Sequence, residues 1–123
     1  MIELPENISI DMSKISRSKD LKDLWDNEND AFIYGLYNSR VINYLNNANI
    51  RKRNYTLYSQ YTSLMKDTLD YRKSIQKLID DYDSDGSAIG LANFVVNNIE
   101  CPEEDKLKIA FVMGMYVRYN LKK

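Results

Sequence analysis

The feature that most constrains this chain is an unbroken apolar stripe over residues 57–82. At steps of four and three it reads Leu57, Tyr61, Leu64, Thr68, Tyr71, Ile75, Leu78 and Tyr82, widened on one side by Tyr58, Met65, Leu69 and Ile79. Lys66, Asp67, Asp70, Lys73 and Lys77 fill the opposite face, and no proline or glycine intervenes. Apolar residues at that spacing mark an amphipathic helix, because 3.6 residues per turn bring them to one side. The stripe predicts one long central helix over 54–82, about 42 Å at 1.5 Å per residue. The expected fold class is all-α: a small bundle of four main helices, with a short N-terminal helix or strap, in a single domain over 1–123.

The remaining elements follow from caps and breakers. Asn27 is placed to cap a second helix, with Glu28 and Asp30 in the first turn, where carboxylates favour the positive helix end. That helix is expected to run to about Asn46, buried on more than one face, and to end in Asn46, Asn47 and Asn49. A short helix is predicted from Ser87 to about Asn98. A last one opens at Cys101-Pro102-Glu103-Glu104 and runs to about Leu121. Residues 1–17 carry Pro5 and a loose alternation of Ile8, Ile10 and Met12 that suits an extended strap. A short helix capped by Ser18 would follow it, burying Leu21, Leu24 and Trp25.

Two segments echo each other. Residues 31–37, A-F-I-Y-G-L-Y, match residues 110–116, A-F-V-M-G-M-Y. A glycine inside a helix costs about 1 kcal/mol against alanine, so close approach of another helix should offset it. These helices are therefore expected to cross near Gly35 and Gly114. Short loops favour antiparallel neighbours. On that rule Arg51, Lys52 and Arg53 share an end with Glu100, Glu103, Glu104 and Asp105. The loop at 83–85 shares the other end with the start of the second helix. The long helix would then outreach its neighbours by roughly 15 Å, leaving an overhang for the N-terminal segment, a partner or a second copy to cover.

Composition narrows the chemistry. The chain has 17 basic and 18 acidic residues, so no global field favours a polyanion or a membrane surface. Histidine is absent, which removes the commonest general base and metal ligand. The single cysteine, Cys101, cannot form an internal disulfide and fits a reducing compartment. The N-terminus lacks the basic start and apolar run of a signal peptide, and the longest apolar run, 109–117, is too short to span a bilayer. The expectation is a cytoplasmic protein without membrane contact. Frequent Asn, Ile, Lys and Tyr suit an AT-rich bacterial or phage genome.

Individual motifs are slight. Asp81, Asp83 and Asp85 with Gly86 copy the first half of a calcium loop, D-x-D-x-D-G. Its twelfth position is Ala92, which supplies no carboxylate, so a helix stop followed by a capped helix start is the preferred reading. Cys101 sits where a helix dipole can lower a thiol pKa, but no histidine is available to activate it. Arg51, Lys52 and Arg53 followed by Tyr55, Tyr58 and Tyr61 combine cations for phosphates with aromatics for stacking, although Tyr58 and Tyr61 also belong to the apolar stripe. Ten tyrosines exceed what one small core needs, and Tyr34, Tyr37, Tyr44, Tyr71 and Tyr119 are candidates for an interface. No cofactor or catalytic residue is expected. The leading expectation is a non-enzymatic protein–protein interaction module, a small helical regulator, inhibitor or adaptor, with a homodimer as one form of partnership. The alternative is a nucleic-acid-binding subunit.

Overall fold

The computed structural model describes residues 2–4, 9–82 and 87–120. The fold is all-α, and among the described residues there is no strand. The helices are α1 (Met12–Arg17), α2 (Glu28–Leu36), α3 (Asn38–Leu45), α4 (Ala48–Arg53), α5 (Tyr55–Thr62), α6 (Leu64–Asp67), α7 (Arg72–Asp81), α8 (Ala88–Asn98) and α9 (Glu103–Asn120), with 3-10 turns at Leu21–Asp23 and Leu69–Tyr71.

The expected single rod over 54–82 is corrected: the stretch stays helical but is jointed into α5, α6, a 3-10 turn and α7. Threonine accounts for the joints. Thr62 Oγ1 donates to the carbonyls of Tyr58 and Ser59, and Thr68 Oγ1 to those of Leu64 and Met65. Such side-chain bonds compete for the carbonyls that the helix uses and bend it. The longest helix is α9, of 18 residues. With the rod jointed and α7 packed on α8, the expected overhang disappears.

The second helix is likewise bent. Tyr37, at φ −107° and ψ 27°, divides it into α2 and α3. Asn47 does not merely end it, for its Oδ1 accepts from the Asn49 and Ile50 amides and starts α4. Arg51, Lys52 and Arg53 therefore form the last turn of α4, beside its negative end, and not the start of a long helix. Asn27 Oδ1 accepts from the Asp30 amide at 2.9 Å and Ser87 Oγ from the Gly90 amide at 2.9 Å, each opening a helix where a cap was expected.

The N-terminal region differs from the expected strap. Asp11 Oδ1 accepts from the Ser13 and Lys14 amides and nucleates α1, while Ser18 closes that helix by bonding back to the Lys14 carbonyl. Ile8 lies outside the described residues. Ile2 is fully buried, and Asn93 of α8 holds its backbone on both sides: Ile2 N donates to Oδ1, and Nδ2 donates to the Ile2 carbonyl. One half-buried amide thus does the work of a strand partner, satisfying backbone groups that would be costly to leave unmade.

The core centres on α2 and α9, the most extensive helix pairing. Phe32 and Phe111 are buried there, each contributing on the order of 2–3 kcal/mol by area removed from water. Trp25 packs 6.0 Å from Tyr34 and 5.7 Å from Phe111, and Tyr61 meets Phe111 edge-on at 5.4 Å, so four aromatics bind the first turns to the middle of the chain.

Helix direction is the second correction. Asp26 to Asn29 line one depression together with Glu103, Glu104 and Leu107, so α2 and α9 start at the same end and run parallel. Along α5, α6 and the 3-10 turn, Tyr61 meets Phe111, Asp67 meets Lys108 and Tyr71 meets Asp105, which makes them antiparallel to α9, whereas α7 turns back so that Ile79 lines a groove with Val112 and Tyr116. The acidic start of α9 is therefore at the end where α2 begins, the opposite of the expected layout. Its partners are Lys106, 3.9 Å from Glu103, and Lys108, 4.0 Å from Asp105.

Candidate functional site

Among the described residues a groove of about 440 Å³ between the jointed stretch and α9 has a mainly apolar lining. Met65, Leu69, Ile75 and Ile79 line one side and Val112 and Tyr116 the other, with Lys66, Thr68, Arg72 and Gln76 along the rim. The joint builds it. The 3-10 turn at Leu69–Tyr71 shifts the register of the stripe, so Met65 and Leu69 remain 51% and 54% exposed while Leu64 and Ile75 turn inward. Leaving two large apolar side chains in water forgoes on the order of 1–2 kcal/mol each. Lys66 and Arg72 supply the charge on the lining, and no acidic side chain contributes. Asp67 turns away to Lys108 at 3.5 Å, and Gln76 is held by Asp80 at 2.9 Å.

A second exposed feature is basic and aromatic. Arg51, Lys52 and Arg53 are exposed, and no ion pair holds them among the described residues. The Arg51 guanidinium lies 5.6 Å from the centre of the Tyr58 ring, and Tyr55, 65% exposed, stands 6.3 Å from Tyr58. Cation, ring and ring thus form one row at the α4–α5 joint.

The other tyrosines mostly have structural work. Tyr34, 6% exposed and edge-on to Trp25, belongs to the core and leaves the interface set. Burial and the Asp30 charge push its pKa up to about 12. Tyr37 has the Arg40 and Arg118 guanidiniums 5.4 and 5.6 Å from its ring centre. Tyr44 is half-buried against the core. Tyr71 donates to Asp105 Oδ2 at 2.5 Å, and that hydrogen bond, with burial, raises its pKa to about 12. Tyr119 is exposed, its hydroxyl 2.8 Å from Ser39 Oγ. Tyr61 donates to Asn38 Oδ1 at 2.7 Å, and burial holds its pKa far above the ordinary phenol value.

Asp83 and Asp85 lie outside the described residues, and Asp81 closes α7. Among the described residues no group of three His, Cys, Asp or Glu side chains is placed to hold a metal ion. Burial and the Asp105 carboxylate push the Cys101 thiol pKa up, opposing the helix dipole and disfavouring the thiolate. Among the described residues no helix is long and apolar enough to cross a membrane.

Periodicity alone does not reveal the groove, because it places Met65 and Leu69 on the widened flank of a buried stripe, and the joints expose them. A protein-family scan, the curated proteins and the solved structures give no match to this chain.

Proposed function

We propose that this chain is a non-enzymatic protein–protein interaction module, a small helical regulator, inhibitor or adaptor of bacterial or phage type acting in the cytoplasm. The observation that carries this reading is the groove in which Met65 and Leu69 stay half exposed beside Ile79 and Val112. Contiguous apolar surface of this kind is usually covered by something. Absence of histidine from the whole sequence agrees with a binding role, since it withdraws the commonest acid–base catalyst.

The test is paired capture from cells that make the native chain, using the chain and its Leu69→Asp variant as baits, followed by reconstitution from purified components. A partner that binds the chain and is lost with Leu69→Asp supports the reading. Partners indifferent to the change remove the groove from it. The same preparations, sedimented at several concentrations, report whether the chain pairs with itself.

A second reading is favoured by one observation, the row formed by Arg51, Tyr58 and the exposed Tyr55 beside Lys52 and Arg53. That row suits single-stranded nucleic acid, with cations on phosphates and rings on bases. A gel-shift series across salt, with the three basic residues changed to alanine, decides it. Binding that weakens with salt and is lost in the variant supports this reading; binding insensitive to both overturns it.

A further inference from the structure

The groove has a sign as well as a shape. Its two charged lining residues, Lys66 and Arg72, are both cations and both exposed, and neither forms an ion pair among the described residues. They lie either side of Leu69, the most exposed apolar residue of the lining. The lining draws on α6, the 3-10 turn and α7, with Val112 and Tyr116 of α9 between them and the core.

We infer that the occupant of this groove is an amphipathic helix of another protein whose apolar face is flanked by Asp or Glu. Such a helix lays apolar anchors between Met65, Leu69 and Val112 while its carboxylates meet Lys66 and Arg72 at the rim. A second copy of this chain is the poorer occupant. Twofold pairing presents the same patch from both sides, so the two cations would meet their own kind across the contact. A basic helix is rejected for the same reason. This inference rests on the groove being a binding site, and the experiment separates the two ideas.

The probes are two fluorescein-labelled helical peptides, each roughly 18 residues with leucine at helical spacing. One carries Glu at the flanking positions and the other Lys. Binding to the full chain is followed by fluorescence anisotropy, and the site by chemical-shift changes at the methyls of Met65, Leu69 and Val112. The Glu peptide is expected to bind roughly fivefold to tenfold more tightly than the Lys peptide, a gap that narrows with salt. The double change Lys66→Glu and Arg72→Glu should reverse the preference, and Leu69→Ser should abolish both complexes. All three positions are exposed, so the variants are expected to fold. Equal binding of the two peptides, lost in Leu69→Ser, overturns the charge inference and leaves the groove as a binding site. Failure of both peptides overturns both. Self-association abolished by Leu69→Ser identifies a second copy as the occupant and overturns the inference.

Discussion

Gly35 of α2 and Gly114 of α9 face each other across a crossing too tight for any side chain. A Cβ on Gly35 would lie 3.0 Å from the Gly114 Cα and 2.9 Å from the Met115 amide nitrogen, and closer still to the Phe111 carbonyl. A Cβ on Gly114 would lie 3.0 Å from the Gly35 Cα and the Leu36 amide nitrogen, and closer still to the Phe32 carbonyl. The contacts are reciprocal because the two A-F-x-x-G-x-Y segments meet at matching positions in parallel. Neither glycine has positive φ, so close approach and not backbone freedom is what requires them.

Gly35→Ala or Gly114→Ala should therefore destabilise the fold by about 3 kcal/mol or more, since the obstacle is backbone and the helices must part. Gly90→Ala is the contrast. There a Cβ meets chiefly the hydroxyl tip of Tyr82, which can swing aside, and a better helix former returns about 1 kcal/mol. Urea denaturation of the three variants should show two large losses of midpoint and one near-neutral change.

How much of this was legible follows from what each signal depends on. The Asn27 and Ser87 caps, the bounds of α8 and the start of α9 depend on neighbours in sequence, and the residues at those points announce them. The glycine crossing was legible through the repeated segment, because a small residue inside a helix demands a tertiary reason. Relative direction was not. It depends on how many times the chain reverses between α2 and α9, and the bends at Tyr37, Asn54 and Thr68 carry no glycine or proline to mark them. The groove was hidden for the same cause, since a stripe read as one straight rod keeps Met65 and Leu69 on the buried flank.

Asn54 offers a second test. It is buried at the α4–α5 joint, where its Nδ2 donates to the Ser16 carbonyl at 3.1 Å and to the Ser18 carbonyl, tying the end of α1 to the bundle. Asn54→Ala leaves both carbonyls without that donor and should cost about 2 kcal/mol. Amide hydrogen exchange should speed up across Met12–Arg17 more than in α9, because the lost tie belongs to the N-terminal segment.

Alkaline titration gives a third. Tyr34 and Tyr71 ionise near pH 12, and Tyr61 is raised further, against the ordinary phenol value of 10.0. In the unfolded chain these phenols lose their protons first. The unfolded state then binds fewer protons, so stability is fully present below pH 10.0 and falls as pH rises towards 12. Phenolate absorbance should show a late-titrating group of tyrosines that disappears in denaturant. Tyr71→Phe removes the Asp105 hydrogen bond and should soften the alkaline fall.

Leu69 is 54% exposed and Phe111 is 2% exposed, although both lie on apolar stripes of the sequence. Phe111→Ala removes a ring packed against Trp25 and Tyr61 and should cost about 4 kcal/mol through lost burial and the cavity left behind. Leu69→Ser takes a side chain already half in water to a polar one and should change stability by no more than about 0.5 kcal/mol. Thermal melts decide the comparison. A large loss for Leu69→Ser would mean that the groove is closed by the chain's own packing, leaving no apolar surface for a partner to cover.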